Sequence, residues 1–214
     1  YSVSQYELDG YKVKNLLEHQ GRKIGIEIIA TFLPQHVVES LYAAEQKAGL
    51  QVASLTLEPL AAMNAIIPEE LRLLNLALVD IGAGTTDIAI SNEGHICAYS
   101  MAAVAGDEIT EAILKALLLD FNTAEELKIK ASQGVDPLTY QDILGVEYSI
   151  SSVELSSIIA PAVNNLADVI CERLIEINGQ PPAAIFLVGG GSQVPELADM
   201  IAAKLSIDPK KVAV

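Results

Sequence analysis

Leu76-Ala77-Leu78-Val79-Asp80-Ile81-Gly82-Ala83-Gly84-Thr85-Thr86-Asp87-Ile88-Ala89-Ile90 reads as a strand, a glycine turn and a second strand. Leu76 to Val79 is an apolar run suited to a buried strand, and Ile88 to Ile90 is its partner. Gly82 and Gly84 let the backbone approach a ligand closely. Successive amides in such a turn form a concave anion site. Thr85 and Thr86 add hydroxyl donors. Asp80, at a strand end, is placed to hold Mg²⁺ or its water shell, since that ion prefers carboxylate together with phosphate oxygens. The plainer reading is a tight hairpin that needs glycine for geometry alone. The crowding of glycines, threonines and two aspartates between apolar strands argues against it.

Further motifs lie on either side. Upstream, Glu58-Pro59-Leu60-Ala61-Ala62 opens a helix with proline in its first turn. Taken alone, Glu58 is an acid favoured by the helix dipole. Downstream, Gly106-Asp107-Glu108-Ile109-Thr110 opens a helix through Leu119, whose N-terminus is a ready anion site. The segment from Thr123 to Lys130 carries a threonine N-cap with Glu126 at the capping-box position, and Glu125 and Lys128 share a face. Near the end, Ala183 to Val188 is a buried strand. Gly189-Gly190-Gly191-Ser192 then turns into a helix from about Pro195 to Leu205, a triplet that suggests close approach to the backbone.

The octet Asp80 to Asp87 resembles the second phosphate motif of the actin/Hsp70/sugar-kinase superfamily, and its form is most similar to the bacterial cell-division FtsA family. Hsp70 and MreB proteins carry a similar Glu-Pro-x-Ala-Ala, so the resemblance puts Glu58 near the nucleophilic water as the catalytic candidate. It implies that Gly82, Gly84, Thr85, Thr86 and Gly106 cradle phosphates, and that Asp80 and Asp107 hold the metal. Ala-Glu-x-Leu-Lys resembles the segment that touches the ribose and adenine, which implicates Glu125 and Lys128 on that ground only. Gly189, Gly190 and Gly191 resemble the adenosine turn, where the base lies. The implied cofactors are ATP and Mg²⁺.

The implied fold is α/β: an actin-like (ribonuclease H-like) ATPase fold, a mixed sheet flanked by helices. Residues 1–57 resemble the end of the FtsA/PilM-specific β-α-β subdomain and first lobe, and residues 58–214 the second lobe. No first phosphate loop is found before Ile24, because Gly21-Arg22-Lys23-Ile24-Gly25 lacks the preceding buried strand and the aspartate. The expectation is therefore a truncated or divergent two-lobe fold and at most a weak Mg²⁺-dependent ATPase, since phosphoryl transfer depends on stabilisation from all sides.

Bulk properties limit the partners. The 214 residues are 51% hydrophobic and 19% charged, enough for a substantial core. A net charge of -15 repels nucleic acid and anionic lipid, but it does not oppose a nucleotide bound through Mg²⁺ and amides. Cys97 and Cys171 have no metal-like spacing and suit a reducing cytosol. No continuous apolar run reaches transmembrane length.

The FtsA resemblance implies a cytoplasmic adaptor that self-assembles or links a tubulin-like division-ring protein to the inner face of the membrane, touching the membrane only indirectly. A PilM-like pilus or secretion component that binds a membrane protein's tail is the near alternative. An Hsp70-like chaperone or a small-molecule kinase is the distant one.

The remaining stretches predict strands over Tyr1 to Leu8, Ile24 to Leu33, Val52 to Leu57 and Ile96 to Val104, and a helix over 35–48 ending at Gly49. Residues 132–150 form a loop or hairpin excursion. A long helix follows from Ser151, with a kink or later start at Pro161. The tail Ile207 to Val212 leaves the domain.

Overall fold

The structure, a computed structural model, describes residues 2–13 and 15–214; Tyr1, the first residue of the first predicted strand, lies outside them. An antiparallel three-stranded sheet comes first, from β1 (Ser2–Leu8), β2 (Tyr11–Val13) and β3 (Ile24–Ile29), in the order β2-β1-β3. Helix α1 (Gln35–Lys47) follows, with Gly49 at positive φ behind it. No residue of α1 is buried; Val37 and Leu41 of its apolar stripe lie exposed. Residues 52–57 are predicted as a strand but form no ladder among the described residues. The β-branched pattern sets an extended backbone, whereas a strand also needs a neighbour to take its amides.

The principal sheet holds β4 (Leu76–Ile81), β5 (Thr86–Asn92), β6 (His95–Ala102), β9 (Ala184–Val188) and β10 (Val212–Ala213), in the order β10-β9-β4-β5-β6. β4, β5 and β6 are an antiparallel meander, whereas β9 runs parallel to β4 and β10 parallel to β9. This is the mixed sheet flanked by helices expected from the sequence.

Alternation along β4 and β5 sorts the core into two layers. Ala77, Val79, Ile81, Ile88 and Ile90 pack with Ile109 and Ile113 of α3 (Gly106–Leu117) and Leu166 and Ile170 of α5 (Ser152–Asn178). Leu76, Leu78 and Ala89 face the other way, onto Met63 and Ile67 beside α2 (Glu58–Ile66). Met63 is fully buried, a burial that contributes about 1.5–3 kcal/mol.

Helix α4 (Phe121–Ser132) begins earlier than predicted. The Asp120 carboxylate, not Thr123, is its N-cap, accepting from the amides of Asn122 and Thr123 and from the Thr123 hydroxyl. A charged acceptor outcompetes the hydroxyl, which becomes a donor to it. The excursion after α4 is a hairpin of β7 (Leu138–Gln141) and β8 (Glu147–Ile150). Pro161 neither starts nor stops α5, which is continuous. The proline is exposed, so the carbonyl it leaves without a donor can be satisfied by water. Helix α5 is long and apolar enough for a membrane span, yet Leu166, Ala167, Ile170 and Leu174 are fully buried against the sheet and α3.

After α6 (Leu197–Lys204) the tail does not leave the domain. Asp208 caps a short turn by accepting from the Lys210 amide, and Val212 and Ala213 then pair with Ile185 and Phe186. Asn75 and Asn178 exchange amide hydrogen bonds of 2.8 and 2.9 Å, joining the start of β4 to the end of α5.

Candidate functional site

The turn from β4 to β5 is closed by the Gly82 amide donating to the Thr85 carbonyl at 3.0 Å. Its carbonyls are occupied from outside: the Gly106 amide donates to Gly82 at 3.1 Å and the Asp107 amide to Ala83 at 2.8 Å. The first two amides of α3 are thus tied to the turn rather than left for an anion. Thr86 is fully buried, and its hydroxyl donates to the Val104 carbonyl at 2.7 Å. Gly84 and Thr85 are exposed at the tip, where the Asp107 carboxylate stands 4.0 Å from the position a Cβ on Gly84 would take.

The glycine triplet after β9 presses against this hairpin. Gly189 has φ 81°, and a Cβ there would lie 2.5 Å from both Asp80 Oδ1 and the Ile81 carbonyl. A Cβ on Gly191 would lie 2.3 Å from Ile81 Cγ2. Gly190, between them, meets nothing within 4 Å. The two outer glycines permit contact, and the middle one opens onto space.

That space is a cavity of about 220 Å³ lined by Gly82, Ala83, Gly106, Gly190 and Gly191 on one side and by Glu125, Lys128, Ile129 and Ser132 of α4 on the other, with Gln193 and Val194 at the edge. It is smaller than the roughly 300–1,000 Å³ usual for small-molecule sites.

Lys128 organises the α4 wall. Its ammonium lies 2.6 Å from Glu125 and donates to the Thr110 hydroxyl at 2.8 Å and to the Gly106 carbonyl at 3.0 Å. Thr110 in turn donates to Glu125 at 2.5 Å. Partial burial pushes the Glu125 carboxyl up, but the hydrogen bonds from Lys128 and Thr110, with the lysine's charge, outweigh it and hold the group below its usual range.

Asp80 and Asp87 occupy the opposite face of the hairpin, the α2 side. They are direct cross-strand partners. Burial first, and the charge of Asp87 second, push the Asp80 carboxyl up. The Tyr99 hydroxyl of β6 donates to Asp87 in a short hydrogen bond. Tyr99 is itself held protonated by burial, by that bond, and by the charges of Asp87 and Glu58. Glu58 is exposed at the first position of α2 and does not line the cavity. Among the described residues, no three His, Cys, Asp or Glu side chains gather as a metal site.

Of the residues singled out from sequence, the structure brings Gly82, Gly106, Glu125, Lys128, Gly190 and Gly191 to one cavity, with Gly189 behind it. Asp80 lies beneath the glycine turn, Gly84, Thr85 and Asp107 at the hairpin tip, and Thr86 inside the core. Sequence reasoning did not find Thr110, Ser132, Gln193 or Tyr99. Thr110 carried a signal, a threonine four residues after a helix-opening glycine and on the same face. Tyr99 carried none.

The family model described as cell division protein FtsA matches residues 77–213. The chain is 28% identical to FtsA of Pseudomonas aeruginosa, across 93% of this chain and 51% of that protein. It is 25% identical to FtsA of Bacillus subtilis, across 74% of this chain and 38% of that one. It thus spans about half or less of the length of these relatives. Among solved structures, it resembles a chain of a PilM-PilN type IV pilus biogenesis complex (TM-score 0.66, 24% identity, 84% of this chain and 50% of that one). It also resembles MreB5 of Spiroplasma citri bound to AMPPNP (TM-score 0.63, 23% identity, 82% and 59%). At these identities the structural likeness establishes the actin-like fold.

Proposed function

The chain belongs to the FtsA cell-division family, and from that premise we propose that it forms one side of an ATP site whose occupancy controls assembly or partner binding by an actin-like adaptor. The observation that carries this reading is the convergence of two glycine turns, far apart in sequence, on one cavity walled by Lys128 and Glu125. In this reading the hairpin turn, with Gly84 and Thr85 at its tip and Thr86 bracing it from within, faces the phosphates. Asp80 and Asp107 hold Mg²⁺ through water. Glu125 and Lys128 flank the ribose and adenine, and Gly189 to Gly191 underlie the base. Glu58 stands near the attacking water.

Mg-ATP supplies the charge to be neutralised and the bond to be broken; the residues described here bind and orient it. They enclose it from one side only, so turnover by this chain alone is low. The partner is a tubulin-like division-ring protein or the tail of a membrane protein, met in the cytoplasm at the inner face of the membrane.

Isothermal titration of Mg-ATP into the chain, with Asp80→Ala and Gly190→Val beside it, tests the site. Binding by the parent that both variants lose supports the reading. Binding untouched by either variant overturns it.

A further inference from the structure

We propose that Tyr99 is a positioning residue that sets the Asp80–Asp87 carboxylate pair and couples it to the start of α2. Tyr99 pairs with Ala89, and its neighbour two residues on, Met101, pairs with Asp87. Tyr99 therefore reaches Asp87 diagonally on one face of the sheet. Its hydroxyl donates to one oxygen of Asp87 and fixes that carboxylate opposite Asp80.

The ring of the same tyrosine lines a small apolar cavity with Leu57, Pro59 and Leu60 at the start of α2 and Ile29 at the end of β3. Glu58 stands within this same segment. One side chain thus bonds to Asp87 through its oxygen and lines the same small cavity as the α2 start. Because burial and the neighbouring acids keep the hydroxyl protonated, it serves as a donor at any physiological pH. A shift of α2 against the sheet moves the ring, and the ring carries Asp87 with it.

The functional consequence rests on the ATP-site reading above; the geometry does not. The experiment therefore has two readouts on the full chain, for the parent, Tyr99→Phe and Leu60→Ala. The first needs no nucleotide: carbon-13 NMR of labelled aspartate carboxyls. Tyr99→Phe shifts and broadens the Asp87 and Asp80 resonances and leaves Asp199 and Asp208 unmoved. Leu60→Ala, which loosens the ring's seat without removing the hydroxyl, shifts them in the same direction by less.

The second readout is ATP affinity with Mg²⁺ and with EDTA. Tyr99→Phe lowers the gain from Mg²⁺ by about threefold to tenfold, the scale of one ordinary hydrogen bond, and leaves the EDTA affinity within about twofold. Unmoved aspartate resonances, or an affinity lost equally with and without Mg²⁺, overturn the proposal. A parent that binds no ATP overturns the ATP-site reading instead, and the carboxylate resonances then decide the role of Tyr99 alone.

Discussion

Asp80 and Asp87 stand directly opposite each other on β4 and β5, two carboxylates on one face of a ribbon whose next cross-strand pair, Val79 and Ile88, is fully buried. Like charges placed so are destabilising. The pair is a liability of the fold unless a cation answers it.

Replacing one member should therefore stabilise the unliganded chain. The folded Asp80 carboxyl lies above its ordinary value of 3.8, through burial first and Asp87 second. A raised folded value means that its stabilisation is present below the unfolded value and is lost as pH rises through the folded one. At neutral pH the ionised group opposes folding. Asp80→Asn is expected to raise the thermal midpoint by about 1–4 °C at pH 7 and by less near pH 3, while removing the Mg²⁺-dependent part of ATP binding. Differential scanning at both pH values checks it, and a lower midpoint at pH 7 would refute the argument.

Glu125 works in the opposite sense. Its folded value lies below the ordinary 4.5, because the bonds from Lys128 and Thr110 outweigh burial. The stabilisation is present above the unfolded value and is lost as pH falls through the folded one. Glu125→Gln should cost about 1–2 kcal/mol at pH 7 and flatten the loss of stability below about pH 4.5. Denaturant melts from pH 3 to 7 would show parent and variant converging on the acid side.

The glycine triplet separates a folding requirement from a binding one. Gly191→Ala puts a Cβ 2.3 Å from Ile81 Cγ2 and should destabilise by about 2 kcal/mol or more. Gly190→Ala meets no atom and should leave the denaturation midpoint within about 0.5 kcal/mol. Gly190→Val then tests occupancy of the cavity without unfolding its walls. Equal damage from both alanine variants would contradict the packing described here.

The two thiols should differ sharply. Cys171 is buried on α5, and burial pushes its thiol up to about 11. Cys97 is exposed. At pH 8 a disulfide reagent should titrate one thiol in the native chain and two in denaturant, with mass mapping assigning the fast one to Cys97.

The sequence carried the parts of this fold that repeat a period or break it with glycine. The β4 turn β5 unit, α3 and the strand before the glycine triplet are legible because alternation, a 3.6-residue stripe and a forced turn each leave a local mark. What it hid depends on neighbours. Residues 52–57 have strand composition but meet no partner strand among the described residues. Val212 and Ala213 are too few to show alternation, yet a free edge of β9 receives them. Asp120 and Thr123 are both good caps, and only the competition between them decides. The cavity residues Gly82, Gly106, Glu125, Lys128, Gly190 and Gly191 could be named in advance because each belongs to a motif. Tyr99 could not, because its importance comes from a diagonal across two strands.

The meander of β4, β5 and β6 is held at both ends. At its base, the Gly106 and Asp107 amides hold the Gly82 and Ala83 carbonyls; at its far turn, the Glu93 and Gly94 amides hold those of Leu73 and Arg72. A loop pinned this way has little freedom left to lose when a ligand arrives. The ordering entropy that a floppy phosphate loop would surrender on binding has already been surrendered on folding. Affinity on this side should therefore depend little on loop ordering, and any large negative binding entropy would have to arise from segments other than the hairpin.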